Sequence, residues 1–203
     1  MILAIDTSTA ACTAALFDEA GQCVDSRDEV IGRGHSERLV PMLDELLAGR
    51  SAQRILVGIG PGSFTGIRVG IAAAQGLAIA WNCKLAGMSS LALLAAGSGG
   101  TGPVAAAVDG GHGEIFVQQF DGRTLEPAND LLNLEPSDAA AEISAPLVVG
   151  PGSAKLVSAR GSGRAEGGWP SARNALRLPP ELRSLPAKPI YARAPDARPR
   201  NAA

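Results

Sequence analysis

Two acids set at the ends of apolar runs are the residues in this chain best placed to do chemistry. Asp6 closes the run MILAI and is followed by Thr7, Ser8 and Thr9. Hydroxyls and backbone N–H groups in such a turn hold phosphate or orient a metal-bound water. Asp109 closes a second run, VAAAV, and precedes the glycine-rich GGHG. Facing each other across a cleft, the two acids would frame a nucleotide-phosphate site. The competing reading is turn chemistry, since Asp and Thr stabilise strand ends by local hydrogen bonds. DTSTA also lacks the glycine that would let backbone approach a triphosphate closely.

The second candidate is the stretch GIGPGSFTGIRVGIAAAQG, residues 58–76. Gly60 and Gly66 enclose five residues and no Lys follows, so it is not a P-loop, and it is not G-x-G-x-x-G. A turn followed by a helix starting near Ser63 or Thr65 could still hold an anion at the helix N-terminus, with Arg68 one turn in. Gly66, Gly70 and Ala74 recur every four residues, flanked by Ala73 and Leu77. Glycine inside a helix costs about 1 kcal/mol relative to Ala, so this ridge predicts close approach by another element. That element is either the protein's own sheet or first helix, or a helix of a partner. The spacing argument takes the partner, with Leu39, Leu43 and Leu46 of the preceding leucine-rich helix in the same surface.

Other chemistry finds little support. His35 and His112 are the two histidines, and no H-x-x-x-H joins them, so a metal site is not expected. Ser63 sits in GPGSFTG rather than G-x-S-x-G and has no evident base. Cys12, Cys23 and Cys83 form no close pair, which argues against a disulfide framework or a zinc site and for reduced thiols.

The elements that must position these residues read as follows. MILAID is a buried strand. CTAALF and the run after the turn at 19–21 are two more, giving an antiparallel meander. HSERLVPMLDELLAG is a helix, with Ser36 as candidate N-cap, Gly49 as stop and Pro41 in the first turn or at a bend. RILVG is a strand buried on both faces, and a long Ala-rich helix follows over 65–81. KLAGM is a short strand and SLALLAAG a short helix. GSGGTGP, 97–103, reads as a linker. After it, strand–Asp–turn–strand restarts, a weak internal duplication that divides the chain into lobes at 1–100 and 101–203. PLVVGPGSAKL is a further strand and turn, and from Arg160 onward there is little periodicity.

The bulk properties bound the rest. The 203 residues are 46% hydrophobic but only 3% aromatic, so the core is built from Ala, Leu, Val and Ile. Net charge is −2, which excludes a chain that binds nucleic acid by overall charge. The charge is uneven: residues 1–150 carry 8 Lys+Arg against 17 Asp+Glu, and 151–203 carry 10 against 3. The basic end suggests an acidic partner or RNA, or simply a solvated terminus. The N-terminus has no basic region of the signal-peptide kind. The apolar stretch 69–96 is interrupted by Gln75, Asn82 and Lys84 and falls short of a membrane span.

With these residues in view, the chain resembles the bacterial TsaB family, also called YeaZ. The resemblance rests on ILAIDTST, HSERLVPML, VGIGPGSFTGIRVGIAAAQGLA, SSLALLA, DGGHGEIFVQQF and KPIYARAPDARP, in the family's order, with GPGSFTGIRVG the most specific. It implies an α/β fold of the actin/Hsp70-like (ASKHA) class, two ribonuclease-H-like lobes with the second reduced. It implies a cytoplasmic role in forming threonylcarbamoyladenosine (t6A) at position 37 of tRNAs that read ANN codons. In that family TsaD, a paralogue, is the transferase. TsaB is a non-catalytic partner that dimerises with it, and TsaE is an ATPase that joins them. The resemblance therefore implies no catalytic residue or metal in this chain, a homodimer when alone, and tRNA contact through the complex. It implies no tightly bound cofactor and leaves ATP or ADP at the subunit junction open. The dimer helices correspond to 36–47 and 65–80 here, and the transferase's metal-binding H-x-x-x-H aligns with Ser90 and Leu94. The second lobe departs from the family by its shortness and by its Gly- and Arg-rich 160–180. Two alternatives remain: an actin-like ATP-binding or ATP-hydrolysing protein using Asp6, Thr7 and Asp109, and a peptidase acting on TsaD.

Overall fold

The computed structural model describes residues 1–190. Strands β1 (Ile2–Asp6), β2 (Ala11–Phe17) and β3 (Cys23–Val30) form the expected meander. The turn between β2 and β3 is closed by Asp18, whose N–H donates to Gln22 O and whose Oδ1 accepts from Gln22 N. Helix α1 (His35–Leu47) leads to β4 (Arg54–Gly58), and α2 (Phe64–Trp81) leads to β5 (Lys84–Met88). The first sheet has the order β3-β2-β1-β4-β5, with β4 and β5 parallel to β1. Helix α3 (Ser90–Gly97) then crosses to the second sheet.

That sheet repeats the first. It contains β6 (Val104–Gly111), β7 (Glu114–Phe120), β8 (Leu132–Leu134), β9 (Leu147–Val149) and β10 (Arg164–Glu166), in the order β8-β7-β6-β9-β10. Helices α4 (Pro136–Glu142) and α5 (Ser153–Arg160) stand where α1 and α2 stand in the first lobe. Three antiparallel strands followed by two parallel ones, twice over, make an actin-like α/β fold of two ribonuclease-H-like lobes. The second is reduced: β8, β9 and β10 have three residues each.

The side chains sort into layers by the period of two along each strand. Leu3, Ile5, Cys12, Ala14, Leu16, Ile55 and Val57 meet α1 and α2 on the outer face of the first sheet. Ala4, Ala15, Phe17 and Leu56 point the other way, into a core shared with Val104, Ala106, Val108, Phe116 and Phe120 of the second sheet. Helix α3 lies inside that shared core, with Leu91, Leu93 and Leu94 all buried. Ala105, Ala107, Ile115 and Val117 meet α4 and α5 on the far side. The many alanines follow from this stacking, because strands covered on both faces pack closely against helices only where side chains are small.

One expectation changes, and two further details come into view. Helix α1 begins at His35, with Gly34 in the left-handed region (φ 87°) as its cap, and no side chain caps it; Ser36 lies inside the helix. Of the two places expected for Pro41, the first turn is not the one it takes: it lies within α1, on the exposed side, where the carbonyl it leaves unpaired can face water. The end of the chain crosses back from the second sheet to the first. Ala172 N donates to Thr13 Oγ1 (2.8 Å) and Ser171 Oγ to Asp28 Oδ2 (2.8 Å). Leu185 pairs with Gly87 through both backbone bonds, and Ile190 N donates to Ile59 O (2.9 Å). Residues 171–190 therefore strap the first lobe.

Candidate functional site: a closed acid pocket and an apolar outer face

Asp6 ends β1 in the interior, with no exposed surface. Its Oδ1 accepts from Ser8 N (2.8 Å) and Ser8 Oγ (2.6 Å), and its Oδ2 from Ser90 Oγ (2.6 Å) at the start of α3. Ser90 Oγ in turn accepts from Gly60 N (3.2 Å). Gly58 makes room for the carboxylate, since a Cβ there would overlap Asp6 Oδ2. Burial pushes the Asp6 carboxyl above its ordinary range, while the hydrogen bonds from Ser8 and Ser90 oppose the shift. Thr7 Oγ1 donates to Gly66 O (2.7 Å) and Ser63 N to Ser8 O (2.6 Å), so the turn and the glycine loop are tied to each other. Thr9 closes the turn, accepting from Ala11 N (3.2 Å). The four residues DTST are buried, and their side chains are engaged by one another and by Gly66, Ala11 and Ser90.

Asp109 occupies the matching place at the end of β6, yet it is different in kind. Its side chain is 55% exposed and takes Lys155 Nζ at 2.6 Å. The structure does not pair Asp6 and Asp109 across an open cleft, since the first is sealed and the second is held by a lysine. The duplication extends to a detail the sequence carries in plain view. Gly60-Pro61-Gly62-Ser63 joins β4 to α2, and Gly150-Pro151-Gly152-Ser153 joins β9 to α5. Both loops return to the lobe's opening segment, through Ser63 N to Ser8 O just past β1 and Gly152 N to Ala107 O within β6.

The small-residue ridge faces inward. A Cβ on Gly66 would overlap Thr7 O, and one on Gly70 would overlap Thr7 Oγ1 with Val57 Cγ2 behind it at 3.6 Å. Gly66, Gly70 and Ala74 are buried against the protein's own first sheet, and so are Leu39, Leu43 and Leu46 of α1. These six cannot form a partner surface, and the earlier expectation is corrected: periodicity found the face but assigned it to the wrong neighbour. Ala73 and Leu77 remain partly open at the edge of α2.

The opposite side of α2 is apolar too. Phe64 is 53% and Ile79 82% exposed, and Ala72, Gly76 and Ala80 are exposed on the same helix. Arg68 covers the Phe64 ring at 3.7 Å. Gly76 has room for a side chain, since a Cβ there would meet nothing within 4 Å. Its own fold gives no reason for a glycine there. Helix α5, the counterpart of α2, shows Ala154, Lys155, Ser158 and Ala159 to solvent and no large apolar side chain. Among the described residues α2 is also the one helix long and apolar enough to cross a bilayer, with 18 residues and mean hydropathy 1.2. The membrane expectation rested on the window 69–96, whereas α2 itself carries Arg68 as its single charge. Its inner edge is packed on β1 and β4 in this fold.

Comparison with known proteins decides the family. The model described as "TsaD: tRNA N6-adenosine threonylcarbamoyltransferase" matches residues 25–146, more than half of the chain. A crystal structure of a Pseudomonas aeruginosa protein, described as uncharacterized with similarity to peptidase YEAZ, superposes with a TM-score of 0.80 at 32% identity, covering 95% of this chain and 99% of that one. The chain belongs to the TsaB/YeaZ family. Escherichia coli "tRNA threonylcarbamoyladenosine biosynthesis protein TsaB" is 39% identical over 127 residues, 59% of this chain and 54% of that protein. The Haemophilus influenzae TsaB is 36% identical over 126 residues and 52% of its length. The match thus spans about half of these curated relatives, whereas an uncharacterized Mycobacterium bovis protein aligns at 32% identity over 98% of this chain and 94% of its own.

Ser90 and Leu94, the positions that the resemblance sets against a metal-binding H-x-x-x-H, serve the fold in this chain. Ser90 bonds Asp6, and Leu94 is buried between the sheets. His35 is buried with Nε2 3.2 Å from Ala11 O. Among the described residues no three His, Cys, Asp or Glu side chains gather as a metal site would need.

Proposed function

We propose that this chain is a non-catalytic scaffold subunit that binds and activates a TsaD-type threonylcarbamoyltransferase in the t6A37 modification of tRNAs reading ANN codons, in the cytoplasm. TsaE is its third partner, and a homodimer through the same face is the resting form. The names of the relatives support the pathway. The sealed Asp6 pocket supports a role without chemistry, because the acid has no surface left for a substrate phosphate.

The observation that carries the scaffold reading is the outer face of α2. Exposed Ile79 and Phe64 stand beside the exposed small residues Ala72, Gly76 and Ala80, so a partner helix can approach closely next to two apolar anchors. Interfaces gather their energy at such anchors. A paralogue with the same lobe plan can offer the matching helix in a near-two-fold contact.

The test is reconstitution. Transferase activity on unmodified tRNA is measured with the TsaD-type enzyme alone, with this chain, and with its Gly76→Leu variant. The scaffold reading expects activity with the wild type only, and co-elution of the two proteins only in that case. Full activity without the chain, or with a variant that co-elutes normally, overturns it.

A further inference from the structure

The basic end expected to meet an acidic partner or RNA divides at residue 190, and residues 191–203 lie outside the described residues. In the strap at 171–190 arginines bind the body instead. Arg177 Nη1 donates to Ala96 O in the last turn of α3, and Arg183 Nε to Leu178 O (2.7 Å).

The strap begins at a built seat on the first sheet. Thr13 is wholly buried and stands opposite Asp6 in the β1–β2 register. It belongs to the face of β2 that carries Ala15 and Phe17 toward the second lobe. Its Oγ1 accepts from Ala172 N (2.8 Å) and donates to Asp28 Oδ1, while Asp28 Oδ2 accepts from Ser171 Oγ (2.8 Å). Ala172, Ala175 and Leu178 are buried in the core shared by the two sheets, together with Leu91, Leu93 and Leu94 of α3. Farther on, Leu182 O accepts from Ser89 N (2.9 Å), and Leu185 and Gly87 exchange both backbone bonds (2.7 and 3.1 Å). Arg54 Nη2 donates to Arg183 O and Ser184 Oγ (3.2 Å each). Gly87 leaves space for this crossing, since a Cβ there would lie 2.7 Å from Pro186 O.

The other end is fixed too. β10 ends at Glu166, whose carbonyl accepts from Gly150 N (2.9 Å). Gly167, Gly168, Trp169 and Pro170 alone separate it from Ser171, a span of at most about 18 Å. Helix α3 by itself is an axle, because two lobes joined through one helix can turn about it as hinged domains do. A short tether from the edge strand of the second sheet to the inner face of the first, seated away from that axis, removes the rotation.

We propose that residues 167–190 are a latch that fixes the angle between the two lobes, with Thr13 and Asp28 as its seat, so that the chain moves as one rigid block. Release would strand the buried Thr13 hydroxyl and Ala172 N–H without partners, which opposes it. The latch is independent of the function proposed above.

Double electron–electron resonance on the full chain measures the lobe angle. Spin labels are placed at Asp44→Cys of α1 and Glu142→Cys of α4, both exposed and on the two opposite outer faces, in a Cys23→Ser/Cys83→Ser background. The latch expects one narrow distance distribution. A flexible Gly-Ser insertion of about six residues between Gly167 and Gly168 keeps the seat and gives the tether slack, so the distribution should widen at least about twofold. Thr13→Val keeps the shape of the side chain but deletes the hydroxyl. It should widen the distribution as well, and amide exchange at Ala172 should quicken at least about tenfold. Circular dichroism checks that each variant is folded, and if Thr13→Val is not, the insertion decides alone. A broad distribution in the wild type overturns the latch, as does a folded variant of either kind that is as narrow as the wild type.

Discussion

Gly70 of α2 and Thr7 of the β1–β2 turn meet with no room for a methyl group: a Cβ on Gly70 would overlap Thr7 Oγ1. That hydroxyl is fixed by its bond to Gly66 O, so it cannot swing aside without leaving a buried polar group unpaired. Gly70→Ala should therefore destabilise the monomer by about 1–3 kcal/mol through overpacking, despite the gain in helix propensity. Gly76→Ala meets nothing and should stabilise it by about 0.5–1 kcal/mol. Urea unfolding of the two variants should give midpoints on opposite sides of the wild type. A Gly70→Ala midpoint at or above the wild type would show that the contact is not tight.

Ser90→Ala removes two bonds at once. Asp6 Oδ2 loses its donor and Gly60 N loses its acceptor, both in the interior. Leaving buried polar groups unmatched costs about 1–3 kcal/mol each, so the variant should lose about 2–6 kcal/mol of unfolding free energy. Ser90→Thr keeps the hydroxyl and should recover part of that loss if the added methyl is accommodated. Denaturant titration checks both.

Much of the fold was legible because its signals are local. The first meander, the Asp-ended strands and the restart after residue 103 all show in alternation and turn residues. The direction of the glycine ridge was not. Gly66, Gly70 and Ala74 share one edge of α2, but Ala72, Gly76 and Ala80 form a second small-residue stripe on the outside. A helix apolar on both sides gives spacing without orientation. The repeated GPGS was a stronger sign of duplication than the strand pattern, and it was open to inspection in the sequence. The strap at 171–190 left no trace, because its bonds are backbone pairs, hydroxyl contacts at Ser171 and Thr13 and arginine–carbonyl contacts that need no periodicity. The sealed state of Asp6 depends on Ser90, 84 residues away, and nothing near Asp6 in sequence announces it.

The Asp6 carboxyl sets a pH dependence whose sign follows from its burial. Its folded-state pKa lies above the unfolded value near 3.8, so in the window between the two the folded state holds more protons than the unfolded one. Stability from this group therefore falls as pH rises through that window and is level above it. In Asp6→Asn this contribution is gone. The difference in urea midpoint, wild type minus Asp6→Asn, should decline as pH is raised from about 4 and then flatten. A difference that instead grows with pH would mean that the three hydrogen bonds outweigh desolvation and hold the carboxyl below its ordinary range.

Ile79 gives the sharpest separation between folding and assembly. It is 82% exposed on the outer side of α2, so Ile79→Glu removes no intramolecular packing of consequence. Surface changes of this kind shift stability by within about 0.5 kcal/mol. Against a partner helix the same change buries an unpaired carboxylate among apolar side chains, a loss of the order that marks interface anchors, about 2 kcal/mol or more. Sedimentation equilibrium of the chain alone should show the variant as monomer at concentrations where the wild type self-associates, and mixing with the TsaD-type enzyme should give no stable complex. Unchanged association in both experiments would place the partner elsewhere on the surface. The exposed edge of β3, where Val24 and Val30 are open at either end, would then be the next face to substitute.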